Sequence, residues 1–134
     1  MPEPMPAASG STVPAHGSRR LADHPLLGPL PAAEAVAFTL DGRSLTGRAG
    51  EPILAALLAS GVRRCRTMPR SGEARGGYCL VGRCADCLMQ VDGEPNVRTC
   101  VTLLREGMRV ETQHGLGRWE AAPEAPGTVA GRST

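Results

Sequence analysis

Between Ala35 and Leu40 apolar residues alternate with small or polar ones, with Val36, Phe38 and Leu40 on one side and Ala37 and Thr39 on the other. That period of two marks a strand with one buried face. Asp41-Gly42 follows, a two-residue turn signal, because both residues tolerate the positive φ of a type I′ hairpin turn. Arg43–Arg48 is expected to return as the second strand. Pro52 stands where a first helical residue belongs, since its missing N–H costs nothing there. Ile53/Leu57 and Leu54/Leu58 then recur at i,i+4 through the helix formers of Ile53–Ser60, and Gly61 ends the run.

Downstream the pattern is more broken. Arg63–Tyr78 is rich in Arg and Gly and reads as a loop, followed by a cysteine segment at 79–87. Leu88–Val91 reads as a strand with Met89 and Val91 on one face, and Asp92-Gly93 makes a turn that Pro95-Asn96 continues. Val101–Leu104 is short and apolar and fits a strand or one helical turn equally well. Met108 and Val110 alternate with Arg109 and Glu111 as a last strand, and beyond His114 no periodicity remains. A hairpin followed by a helix opens a β-grasp domain, so the expected fold class is α+β.

Composition sets the boundaries. Seven of the 12 prolines fall within residues 1–34, and residues 115–134 are rich in Ala, Gly, Pro and Glu. The expected organisation is a disordered tail at 1–20, an extended arm at 21–34, a β-grasp domain at 35–113 and a flexible tail at 114–134. A domain of about eighty residues has a marginal core and often needs a metal or disulfide staple. Phe38, Tyr78 and Trp119 are the only aromatic residues, so that core must be aliphatic.

The formal net charge is +2, and all 15 basic residues are Arg. Neither nucleic acid nor an anionic membrane surface is indicated, since bases and aromatics do not interleave. No apolar run reaches the ~18 residues of a membrane span. Ser18-Arg19-Arg20-Leu21 looks like a twin-arginine export signal, but Asp23, His24 and Pro25 interrupt the apolar stretch such a signal needs. A cytoplasmic location is expected. There, clustered cysteines favour metal or redox work over structural disulfides, and the odd count of five fits a disulfide framework poorly.

Cys79, Cys84 and Cys87 are spaced C-x4-C-x2-C, and Cys100 follows after twelve intervening residues. The first three have the spacing of plant-type [2Fe–2S] ligation. The expected cofactor is one [2Fe–2S] cluster on Cys79, Cys84, Cys87 and Cys100, in a ferredoxin-like β-grasp domain. Held by four thiolates, it carries a formal charge of roughly −2 oxidised and −3 reduced. Backbone N–H groups can approach it where Gly76, Gly77 and Gly82 let the chain wrap tightly, forming an anion nest. Arg75 and Arg83 flank this loop and either damp its charge or face water. Asp86 is expected to accept local backbone N–H bonds rather than touch iron. Zinc is the rival occupant, although its four-cysteine sites usually pair two C-x2-C knuckles and only Cys84–Cys87 forms one here. A thioredoxin-like dithiol at Cys84/Cys87 would need a preceding βαβ unit, which is lacking. Cys65 stands apart in sequence and reads as a bystander, and His16, His24 and His114 show no ligand spacing. No catalytic residue is indicated.

The stretch from about Arg20 to Gln113 resembles the [2Fe–2S]-binding small subunits of FAD-dependent amine and imino-acid dehydrogenases. That group includes the small subunits of hydrogen cyanide synthase, opine oxidase and hydroxyproline dehydrogenase, and the N-terminal region of the sarcosine oxidase large subunit. Asp23-His24-Pro25, Phe38 to Gly42, Pro69-Arg70-Ser71-Gly72 and the run Cys79 to Cys87 carry the resemblance, with Val91-Asp92-Gly93, Pro95 to Cys100 and Gly107-Met108. Tyr78 and Ala85 depart from it, standing where that family often has Phe and an aromatic residue. The resemblance implies that Cys79 and Cys84 hold the outer iron and Cys87 and Cys100 the inner one. It also implies a non-catalytic electron-transfer subunit of a hetero-oligomer, relaying single electrons from the flavin of FAD-containing dehydrogenase subunits to an acceptor. An independent soluble ferredoxin is the alternative, and a zinc-stapled interaction module a third. The near-neutral charge and the apolar, Pro-spaced arm favour a fixed partner, since free ferredoxins usually carry a steering acidic surface.

Overall fold

The alternation at Val36, Phe38 and Leu40 becomes a buried strand face in the computed structural model of this chain, which describes residues 18–120. In chain order the elements are β1 (Asp23–His24), β2 (Gly28–Pro29), β3 (Ala35–Leu40), β4 (Arg43–Arg48), α1 (Ile53–Ala59) and β5 (Arg66–Thr67). There follow β6 (Ala74–Arg75), β7 (Leu88–Val91), β8 (Glu94–Arg98), β9 (Arg109–Glu111) and β10 (Gln113–His114).

The main sheet has the order β4-β3-β9-β7-β8. Its outer pairs are hairpins turned by Asp41-Gly42 (φ 49 and 80) and Asp92-Gly93 (φ 49 and 84), so both Asp-Gly signals form the positive-φ turns that their residues tolerate. The two hairpins meet on β9, parallel to β3 through Thr39↔Arg109 and antiparallel to β7 through Val91↔Val110. Each turn is tied to the neighbouring strand. The Asp41 carboxylate accepts the Thr112 amide at 2.8 Å, and the Asp92 carboxylate accepts the Arg109 amide at 2.8 Å.

Helix α1 buries Ile53, Leu54, Ala56 and Leu57 against this sheet. The helix lies so close to β4 that a Cβ on Gly47 would stand 2.3 Å from Leu104 Cδ2 and 2.9 Å from Ala56 Cβ. The core is aliphatic around a single Phe38, as the composition requires. Cys65, Cys87 and Cys100 belong to it as well. This mixed sheet wrapped on one short helix is the α+β, β-grasp arrangement that the hairpin and helix announce.

Several local expectations are corrected. Pro52 is the residue before the helix (φ −61, ψ 145) rather than its first residue, because its amide-less nitrogen suits either place while its ψ stays extended. Arg63–Tyr78 is not only loop: β5 and β6 pair within it, and β10 joins β5 in parallel. Pro95-Asn96 lies in β8 rather than in the turn, and Asn96 holds φ 63 because Gln113 clamps it on both sides (Asn96 N to Oε1, and Nε2 to Asn96 Oδ1, each 2.8 Å). Val101–Leu104 is neither strand nor helix but a turn, with Leu103 bridged to Pro52.

The arm folds as a β1–β2 hairpin, with His24 Nδ1 accepting the amides of Leu26 and Leu27 at its turn. Arg19 donates its amide to the Ala59 carbonyl, and Glu120 donates its own to the Gly93 carbonyl. Most of the expected tails, residues 1–17 and 121–134, lie outside the described residues. Among the described residues no helix is long and apolar enough to cross a membrane.

Candidate metal centre

The cysteine segment leaves Gly76-Gly77 and runs into β7. Both glycines are forced by proximity: a Cβ on Gly76 would sit 1.9 Å from the Arg63 carbonyl oxygen, and one on Gly77 2.8 Å from Leu54 Cδ2. The unusual dihedrals fall instead at Leu80 (φ 60) and Gly82 (φ 77). Those two left-handed residues curl the backbone so that successive amides point inward. Cys79 Sγ accepts three of them, from Val81 at 3.4 Å and from Arg83 and Cys84 at 3.3 Å each. The amides of Cys84 and Val81 pull the Cys79 thiol down to about 6, against a smaller opposing effect of burial.

Cys100 lies on a separate turn, which the helix holds. The amides of Ile53 and Leu54 donate to the carbonyls of Thr102 and Thr99 at 2.9 and 3.0 Å, and the Leu104 amide donates to the Glu51 carbonyl at 2.7 Å. The first orphan amides of α1 are thus satisfied by the turn that carries Cys100. Thr99, fully buried, donates its hydroxyl to the Cys87 carbonyl at 2.8 Å and so fastens this turn to the cysteine segment. Across the gap Gly82 packs on Val101, where a Cβ would stand 3.1 Å from Cγ1.

The thiols act on one another: Cys84 helps to lower the Cys79 thiol, and Cys87 and Cys79 both act on Cys100. Burial, then the neighbouring Cys87, raises the Cys100 thiol, while the Gly82 amide pulls it back. Among the described residues no three or more His, Cys, Asp or Glu side chains gather as they would round a single ion. A [2Fe–2S] rhomb held by four thiolates needs amide donors beside its sulfurs, and the amides converging on Cys79 fit that need.

The loop carbonyls are held by guanidinium groups. Arg66 Nη1 donates to the Ala85 carbonyl at 3.0 Å, and Arg98 Nε to the Cys84 carbonyl at 3.3 Å. Of the arginines expected to flank the site, Arg83 is exposed and Arg75 pairs with Glu73 at 2.9 Å. The buried guanidinium is Arg66, which sequence reasoning missed. Asp86 accepts no backbone N–H among the described residues, contrary to expectation.

Cys65, distant in sequence from the four, packs beside them. It is 1% exposed, and its environment includes Cys87, Cys100, the Thr99 side chain and the Gly77 amide. Burial, then Cys87, pushes its thiol up to about 11. All five cysteines are free. The apolar side chains round the cysteine segment are open to solvent: Tyr78 is 81% exposed, and Leu80, Val81 and Val101 are exposed too.

Comparison with known proteins agrees with this geometry. A family model described as a 2Fe-2S iron-sulfur cluster binding domain matches residues 33–115. Hydrogen cyanide synthase subunit HcnA of Pseudomonas aeruginosa is 41% identical over 84 residues, covering 63% of this chain and 80% of that protein. The HcnA subunit of Pseudomonas protegens is 37% identical over 75 residues, covering 56% of this chain and 70% of that one. Among solved structures, L-proline dehydrogenase from P. horikoshii superposes with a TM-score of 0.56 at 22% identity, covering 69% of this chain but 18% of that longer one, a likeness of fold.

Proposed function

Because this chain belongs to the 2Fe-2S iron-sulfur cluster binding domain family, we propose that Cys79, Cys84, Cys87 and Cys100 hold one [2Fe–2S] cluster in a subunit that carries electrons for a larger oxidoreductase. The observation that carries the site is the loop in which the amides of Val81, Arg83 and Cys84 converge on Cys79 Sγ, with Thr99 fastening Cys87 to the turn of Cys100. When bound, such a cluster accepts and donates one electron at a time.

The chain's own residues supply the setting. The amides of Val81, Arg83 and Cys84 favour the thiolate form of Cys79, which a ligand must adopt. Thr99 fixes Cys87 against Cys100, and α1 fixes the turn on which Cys100 sits. The exposed side chains of Tyr78, Leu80 and Val81 bring a partner's surface close to Cys79.

The subunit serves a heteromeric FAD-dependent amine or amino-acid oxidoreductase, with FAD on partner subunits, and works in the cytoplasm. Support for the partner comes from relatives named as subunits of hydrogen cyanide synthase. Five free thiols suit a reducing compartment. Anaerobic purification should give a brown protein with about two irons and about two acid-labile sulfides per chain. Stoichiometric zinc without sulfide would overturn the site. A tagged chain should co-purify with a flavoprotein. Recovery alone, with full electron-transfer activity, would favour an independent ferredoxin.

A further inference from the structure

Strands β5 and β6 place Arg66 directly opposite Arg75. Like charges facing each other across an antiparallel pair destabilise it. The side chains differ in what relieves them. Arg75 reaches out to Glu73, whereas Arg66 is 8% exposed and its one hydrogen bond runs to the uncharged Ala85 carbonyl. The Nε atoms of both are buried without a partner. Among the described residues no carboxylate pairs with Arg66.

A buried cation persists only where an anion or a full set of acceptors compensates it. Ala85 stands between Cys84 and Cys87, so the guanidinium lies against the segment that bears three of the four cysteines.

We infer that Arg66 is the buried counter-charge of the bound cluster, a positioning residue that holds the Ala85 carbonyl and raises the cluster's reduction potential. The inference rests on the four cysteines holding a [2Fe–2S] cluster. A positive charge favours the reduced form, which carries one more negative charge than the oxidised form. An exposed arginine such as Arg70 has no such effect, because water screens it.

The test uses the full chain with its partners, as the wild type and as Arg66→Met, Arg66→Lys and Arg70→Met. Iron and sulfide content and the EPR-monitored midpoint potential are measured for each. Arg66→Met should keep iron and sulfide but favour the oxidised form at least tenfold, a fall of about 59 mV for a one-electron couple. Arg66→Lys, which keeps the charge, should recover more than half of that shift, and Arg70→Met should leave the potential in place. Should Arg66→Met fail to load, Arg66→Lys decides: a near-wild-type potential supports the counter-charge, and a tenfold fall overturns it. An unchanged potential in loaded Arg66→Met overturns the inference alone. Zinc without sulfide in the wild type overturns the cluster reading and the inference with it.

Discussion

The Leu54 amide donates to the Thr99 carbonyl at 3.0 Å, so the first turn of the helix and the turn bearing Cys100 are one hydrogen-bonded unit. Thr99 also bonds the Cys87 carbonyl, which ties Cys87 to the turn bearing Cys100. Cys79 depends instead on amides of its own loop, and Arg98 holds the Cys84 carbonyl.

Cys100→Ser should lose or destabilise the cluster, since it removes one of the four proposed ligands. Cys65→Ala should leave iron and sulfide content unchanged. The small cavity it opens should cost about 1 kcal/mol, a few degrees in Tm. Metal analysis and thermal melting separate the two. Loss of the cluster in Cys65→Ala with retention in Cys100→Ser would reverse the ligand assignment.

Among the glycines, Gly76→Ala should be severe. Its Cβ would meet a backbone oxygen at 1.9 Å, which no side-chain movement can relieve. Soluble yield and cluster loading should both collapse. Gly72→Ala faces open space but holds φ +69, so its cost should be about 1 kcal/mol with loading intact. Denaturant titration of both variants checks the order.

Without metal, the two perturbed thiols should react very differently. With its thiol near 6, Cys79 is about nine-tenths thiolate at neutral pH. Cys65, near 11 and buried, stays protonated. In the metal-free chain at neutral pH, iodoacetamide should label Cys79 early and Cys65 last, as peptide mapping over time would show. The rate at Cys79 should fall as pH drops through about 6. Preferential labelling of Cys65 would contradict this geometry.

Glu51 gives the chain an acid-sensitive clasp. Burial pushes its carboxyl upward, but the Arg20 guanidinium, bound at 2.6 and 2.5 Å, and the Arg48 amide outweigh this and leave it below the ordinary 4.5. A depressed folded value means the contribution is present above pH 4.5 and is lost as pH falls through that lower value. Glu51→Gln should cost about 1 kcal/mol at neutral pH and nothing once the carboxyl is protonated. Stability measured against pH should therefore converge for the two proteins at low pH. Parallel curves would rule the clasp out.

The parts legible in the sequence are those governed by near neighbours. Asp41-Gly42 and Asp92-Gly93 turn where their residue types require, and the spacing of Cys79, Cys84 and Cys87 announces the cluster before any contact is known. Missed features depend on residues far apart in the chain. A two-residue strand has no period to detect, so β5 and β6 were hidden in an Arg-Gly stretch, and with them the opposition of Arg66 and Arg75. Cys65 looked remote because thirty-five positions separate it from Cys100, a distance the fold abolishes. Asn96 sits in a strand at positive φ because of Gln113, on another element altogether.

Strand β9 is central to the main sheet, yet it follows every cysteine in the chain. On a ribosome adding about 5–20 residues per second, all five thiols are made before the strand that joins the two hairpins. Its parallel contact with β3 also closes a loop of about seventy residues, a slow kind of pairing. During synthesis, then, the thiols pass through an interval in which the sheet beneath them is unfinished. Protection of these thiols from oxygen is a requirement of the chain's first seconds.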